Sequence, residues 1–257
     1  MNVSAIMAIA HRDLLKLLRD RARLISGVVT PLATVIVLGG GGQATFEAPF
    51  NILHYVLVGV MVQTVFTSTA SGTVWLLEDR MNDFSQEIFV SPISRYSIVF
   101  GKILGETLVA LPQGLVLLIA GLVIGLQLAL WQIVVLLAVL IFASMLGGAL
   151  GIVVITNFGS QRTANQIVPW VISPQVLFSN VFFPLNVLPG RMDVVSWIMP
   201  LRYPIDLARA VVLARTPDEY RQVVLLRPET NLLVMAIMFA IFLLVGTFLF
   251  VRSERNR

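Results

Sequence analysis

The chain contains no cysteine and only two histidines, His11 and His54. Disulfides and thiolate metal sites are therefore excluded. The histidines are isolated and no H-E-x-x-H occurs, so the pattern of a zinc-dependent membrane enzyme is missing as well. The four glycines at 39–42 are not followed by Gly-Lys-Ser/Thr, and no other run has that pattern. This argues against a phosphate loop and against ATP hydrolysis by the chain itself; the glycines read as a flexible turn. Charge is scarce too: 12% of the 257 residues are charged, 57% are hydrophobic and mean hydropathy is +0.89. So few charges cannot solvate the surface of a soluble globule of this size. The pI near 10.0 does not point to nucleic acid, because the basic residues fall at the ends of apolar segments and form no patch. The composition describes an all-α polytopic membrane protein.

Six apolar segments, at 24–38, 52–77, 98–126, 131–156, 167–188 and 232–251, read as six transmembrane helices within a single domain covering 1–257. The first is short and contains Pro31. Lys and Arg set the orientation. Arg12, Lys16, Arg19, Arg21 and Arg23 precede the first span, Arg80, Arg95 and Lys102 flank the connection between spans 2 and 3, and Arg252, Arg255 and Arg257 follow the last. The first two opposite loops carry neither residue type. Both termini are therefore expected in the cytoplasm. The final outer loop carries six arginines, nearly balanced by Asp193, Asp206, Asp218, Glu219 and Glu229.

Residues 1–23 have the pattern of an amphipathic interfacial helix, with Leu14, Leu17, Leu18, Ala22 and Ile25 opposite Arg12, Lys16, Arg19 and Arg23. Such a helix serves as a membrane-surface anchor, as a docking surface for a cytoplasmic partner, or as both. In the cytoplasmic segment 78–97, an amphipathic turn at 86–90 is stopped by Ser91-Pro92, and a new helix begins near Ser94. A short helix pinned there can act as a lever; alternatively, its charges only hold topology.

The apolar stretch 178–209 is cut by Pro184, Pro189, Pro200 and Pro204. It cannot cross as one helix, and irregular backbone at membrane depth needs protein cover or a cavity. Two short helices are expected, at 192–199 and 204–213, forming a re-entrant outer hairpin over 189–213. Trp197 and Tyr203 suit an interfacial depth, and Asp206 and Arg209, three apart, could pair on one face. The hairpin reads as an outer gate, or as a loop that packs over a dimer. Polar residues concentrate in span 2 at Gln63, Thr64, Thr67, Ser68, Thr69 and Ser71. They read first as a close-packing face and second as a pathway; Gln175, Phe178 and Asn180 are weaker pathway candidates. Glu106, near the cytoplasmic end of span 3, reads as a marker of a functional path or as a partner of Lys102 one turn away.

Glu87, then Ser91-Pro92-Ile93-Ser94-Arg95 and Gly101-Lys102-Ile103-Leu104, resemble the cytoplasmic coupling segment of ABC type-2 exporter permeases, of the drug-resistance and nodulation type. Phe183-Pro184-Leu185, Leu188-Pro189, Pro200-Leu201 and Ile205-Asp206-Leu207-Ala208-Arg209 resemble the family's outer motif. Phe84 stands where family members often have glycine, and 214–231 is long for this connection. The resemblance implies a permease subunit without its own nucleotide site, in a plasma (inner) membrane of prokaryotic type. It would export a hydrophobic, amphipathic or lipid/glycan-linked substrate. A separate cytoplasmic ATPase subunit would bind ATP and Mg, and a second permease copy or paralogue would complete the dimer. On this resemblance Glu87, Ser91, Pro92 and Arg95 meet the ATPase. Phe183, Pro184, Pro189, Trp197, Pro200, Asp206 and Arg209 form the outer gate, and Thr67, Gln175, Phe178 and Asn180 line a substrate path. The alternatives are a secondary transporter or a non-transport membrane scaffold.

Overall fold

Inside a bilayer no water satisfies backbone N–H and C=O groups, so long apolar segments resolve into helices that bond internally. The computed structural model describes residues 11–12, 15, 21–45, 48–77, 95–158, 160–184 and 192–255, and every regular element among them is helical. Five helices are long and apolar enough to cross a membrane: Ile25–Thr45, Ile52–Leu77, Tyr96–Ile124, Leu130–Ile155 and Pro228–Arg252. Most of 1–23, the coupling segment from 78 to 94 with Glu87, Ser91 and Pro92, and Pro189 lie outside the described residues.

Helix α1 (Arg21–Thr34) contains Pro31 and runs on through a π-helical stretch, Val35–Gly40, into the α-helical turn Gly41–Thr45. The expected glycine turn at 39–42 is thus helical, and the first span reaches seven residues beyond the expected end at 38. Continuing the helix keeps the backbone paired. The glycines also allow close approach: a Cβ on Gly39 would lie 2.9 Å from Leu53 Cδ1. Helix α2 (Ile52–Gly72) is capped by Asn51, whose side chain accepts from His54 N at 3.0 Å. Helix α3 is described over Arg95–Ile124, and the start expected near Ser94 lies outside the described residues. It stops where Gly125 takes φ +105 and Leu126 N donates back to Gly121 O at 2.9 Å, a glycine-terminated helix end. Helix α4 is Leu130–Ile155.

Helix α5 corrects the fifth expected span. It covers Gln161–Phe178, not 167–188, and it is not among the five long apolar helices. Ser160 caps its start by accepting from Thr163 N, and Asn180 ends it with φ 64, a left-handed conformation asparagine tolerates. Gln161, Arg162 and Asn165 make its first turns polar. Two short helices follow, α6 (Met192–Trp197) and α7 (Arg202–Val212), then α8 (Pro217–Val223) and the long α9 (Pro228–Arg255).

Helix α2 is the centre: 72% of its apolar window is buried, against 11% for the first span and 17% for the last. Its tightest neighbour is α4, where small residues let backbones meet. A Cβ on Gly147 would lie 2.3 Å from Phe66 O, and one on Gly151 2.5 Å from Ala70 O. Gly59 sits against the turn after α5, 2.4 Å from Val181 O by the same measure. The periphery is apolar and exposed, as at Ile36, Val123, Trp170, Leu233 and Phe248, which suits a lipid-facing surface.

Candidate functional site

An open cavity of 540 Å³ lies beside α2 from Val60 to Gly72, about 18 Å at 1.5 Å per residue, with Trp75 just beyond the helix end. Gln63, Thr64, Thr67, Ser68 and Ser71 form its α2 wall. Ser26, Thr30 and Thr34 face them from α1, and Gln113 of α3, Asn165 of α5 and Phe182 complete it. Thr64 and Thr67 donate to Val60 O and Gln63 O at 2.7 and 2.9 Å, which leaves their oxygen lone pairs toward the space. Gln63 Oε1 is buried with no hydrogen-bond partner. This divides the polar face of α2, whose first expected role was close packing. Thr69, on another side, does pack, meeting Ser144 Oγ at 2.5 Å and the Glu106 carbonyl at 3.4 Å. Of the expected pathway residues, Thr67 lines the cavity, whereas Gln175, Phe178 and Asn180 do not.

Lys102 and Glu106 pair at 2.9 Å inside α3, each 2% exposed. Neither lines the cavity. Their spacing had made the pair legible.

Every residue of α7 is buried, although the helix carries Arg202, Asp206 and Arg209. Each charge has a separate anchor. Arg202 lies over the Trp197 ring, 4.3 Å from its centroid, and bonds Ser196, while Tyr203 Oη donates to Trp197 O at 2.5 Å. These contacts tie α6 to α7. Asp206 accepts from Leu225 N, Leu226 N and Asn231 Nδ2 at 2.8, 2.9 and 2.8 Å. It thereby clamps the long 214–231 connection onto α7 and the start of α9.

Arg209 turns the other way. Its Nη2 donates to Tyr55 O and Val181 O, both at 3.2 Å, and its guanidinium stacks 3.5 Å from the Tyr55 ring centroid. With the Asn180 amide oriented to satisfy both ends, Oδ1 accepts from Arg209 Nη1 at 2.9 Å and the nitrogen donates to Phe183 O at 2.7 Å. The Tyr55 hydroxyl also meets Asn180. The expected Asp206–Arg209 pair is therefore not formed: backbone and amide partners hold the two groups on opposite sides, and Arg209 Nε is buried without a partner.

Tyr55, Gln132 and Asn231 complete this end of the bundle and were not singled out from the sequence. Gln132 Nε2 donates to Val211 O and Val212 O at 2.8 and 3.0 Å, capping α7, while its Oε1 accepts from Ala129 N at the start of α4. Tyr55 and Asn231 meet partners more than twenty residues away, and Gln132 reaches α7 as well as the local Ala129 N, so the long-range contacts have no local motif to mark them. Tyr220, on α8, has its phenol pKa raised by partial burial and then by the Asp206 and Glu229 carboxylates.

Around this node, Phe183 and Trp197 are 61% and 46% exposed, Pro184 is partly exposed and Pro200 is buried. Phe183, Asp206 and Arg209 are thus linked through Asn180 and α7, and Trp197 joins through Arg202 and Tyr203. Arg95 is the first described residue of α3, next to the segment that holds Glu87.

Residues 4–213 match the ABC-2 type transporter family, a range that includes the cavity lining and α7. The chain is 24% identical over 216 residues to "Putative transport permease ycf38" of Cyanophora paradoxa, covering 80% of this chain and 73% of that one. A protein of the same name from Porphyra purpurea is 26% identical over 223 residues, covering 81% and 74%. ABC-2 permeases lack a nucleotide-binding domain and pair with ATPase subunits. This chain is a multi-pass membrane protein of the ABC-2 type transporter family, in which it is the permease component.

Proposed function

We propose that the chain is the transmembrane half-unit of an exporter, moving a hydrophobic, amphipathic or lipid/glycan-linked molecule out of the cytoplasm. A separate subunit binds ATP and Mg and hydrolyses the nucleotide. A second permease copy or paralogue completes the pathway, and the assembly sits in a plasma (inner) membrane of prokaryotic type with both termini inside. In this reading α5 is a sixth, more polar span that borders the path, while α6 and α7 form a re-entrant outer gate.

The observation that carries the reading is the polar cavity along α2, in a chain otherwise coated with apolar side chains. Polar side chains without tight packing partners at membrane depth mark a path for something that crosses. The α7 node supports the gate assignment. It joins the N-terminal ends of α2, α4 and α9, the side that the Lys/Arg pattern assigns to the exterior.

Glu87, Ser91, Pro92 and Arg95 take the ATPase contact at the opposite end, and the N-terminal amphipathic helix flanks it. Glu87→Lys reverses one charge in that segment without touching the spans. We expect the variant to reach the membrane at wild-type abundance yet lose ATP-dependent export. Full export by Glu87→Lys would remove Glu87 from the coupling contact.

A further inference from the structure

His54 and the connection 214–231 play no part in the coupling contact or the path proposed above, and the structure puts them together. The connection is tied down at both ends. Thr216 N and Oγ1 donate to Leu213 O at 3.0 and 3.2 Å, and beyond α8 the Asp206 carboxylate accepts from Leu225 N and Leu226 N. Helix α8 is therefore a strap drawn across the first turn of α2. Val223 is its buried foot, whereas Thr216 and Asp218 at the other end are exposed.

Under the strap lies a void of about 10 Å³, shared by His54 and Tyr55 of α2, Arg209 of α7, and Glu219 and Val223 of α8. That is room for about one water molecule. Val58 and Val212 add apolar wall, so a charge gained here is poorly solvated. The groups facing His54 come from each element packed on it. Arg209 supplies a buried guanidinium that keeps its proton, and the Glu219 carboxylate acts electrostatically on the imidazole. Asp206, also on α7, is held by Leu225, Leu226 and Asn231, and Tyr55 lies under the Arg209 guanidinium. Glu47 lies outside the described residues.

Among the described residues, a neutral imidazole leaves one guanidinium and one carboxylate in this pocket, which balance. Adding a proton to His54 creates a net positive charge in a space with almost no water. It also puts that charge in the first turn of α2, the positive end of the helix dipole. Glu219 attracts the new charge, but Arg209 repels it, and burial penalises it. Moving the strap aside lets water reach the imidazolium and relieves both costs. The open arrangement thus takes up the proton more readily than the closed one, so falling pH favours opening.

We propose that α8 is an acid-released strap: protonation of His54 lifts α8 from the outer end of α2 while the rest of the bundle stays packed. Release is expected in the mildly acid range where imidazole titrates, below about pH 6.5. The inference stands on the contacts around His54 and holds whichever molecule the permease moves.

The chain has no cysteine, so cysteines introduced one at a time report the strap in the full-length protein in lipid nanodiscs. Val223→Cys reads the buried foot, Thr216→Cys an exposed position, and Leu140→Cys the buried centre of α4. Each is labelled with a methanethiosulfonate reagent at about pH 7.5 and about pH 5.5, on either side of the imidazole range. Rates are divided by that of Thr216→Cys, so that the titration of the thiol itself cancels. The expected result is a rise of about tenfold in the Val223→Cys ratio at the lower pH, with Leu140→Cys protected throughout. Adding His54→Gln, which is neutral at both pH values, should make the two Val223→Cys ratios equal. A ratio that acid leaves unchanged or lowers overturns the proposal, as does parallel labelling of Leu140→Cys, which would mean that the whole bundle opens. A rise that survives His54→Gln and disappears in Glu47→Gln or Glu219→Gln would place the titrating group elsewhere and overturn it as well.

Discussion

Arg209→Met lowers the thermal midpoint of the solubilised protein by roughly 5–10 °C, equivalent to about 3 kcal/mol. The guanidinium is 1% exposed and donates to Tyr55 O, Val181 O and the Asn180 amide while stacking on Tyr55. Two effects oppose each other. Removing a buried cation relieves its desolvation, which alone would stabilise. The acceptors, however, remain in place and lose their donor, and each orphaned buried acceptor costs about 1–3 kcal/mol. Methionine fills the space and supplies no donor, so the second effect wins. Arg209→Lys keeps the charge but cannot span both carbonyls in one plane, and its midpoint should fall between the two. Tyr55→Phe keeps the ring under the guanidinium and loses only the hydroxyl contact to Asn180, a loss of about 1 kcal/mol. A midpoint unchanged in Arg209→Met would show that the node does not hold α7 to α2 and the end of α5.

Gly147→Ala is the second large effect, and it isolates packing from helix propensity. A Cβ there would sit 2.3 Å from the Phe66 carbonyl oxygen and 2.9 Å from its carbon. Those are backbone atoms of the central helix, so the contact cannot be relieved by a rotamer change. The α2–α4 crossing has to open, and overpacking of this kind costs about 1–3 kcal/mol. Alanine is the better helix former by about 1 kcal/mol, so destabilisation would run against propensity. Gly41→Ala is the matched control: helical, exposed and with nothing within 4 Å of its added Cβ. Its midpoint should hold or rise slightly. If the two variants melt alike, close backbone contact between α2 and α4 is not what holds the bundle centre.

Hydropathy made four of the long helices legible to within a few residues, because lipid-exposed and core positions are both apolar and their ends are polar. The first span was foreshortened: the glycines at 39–42 signal a turn in water, but their φ/ψ remain helical here. Helix α5 was displaced because Ser160 and Asn180, the residues that bound it, are ordinary polar letters until their cap geometry is seen. The α6–α7 pair was readable from its prolines, with edges two residues off. Its charges were not readable. Asp206 and Arg209 sit at pairing distance in sequence, yet each finds partners 19 to 154 residues away. The threonines of α2 show the same limit. Thr67 and Thr69 are two apart and chemically identical, but one faces a cavity and the other packs on Ser144.

The central claim is that this permease works with an ATPase supplied in trans, and purification from native membranes tests it most directly. A tagged wild-type chain, extracted in mild detergent, should carry with it a second polypeptide bearing a Gly-Lys-Ser/Thr phosphate loop, together with Mg-dependent ATP hydrolysis. A membrane extract in which the intact chain elutes with no nucleotide-binding partner and no ATP hydrolysis above background would contradict it.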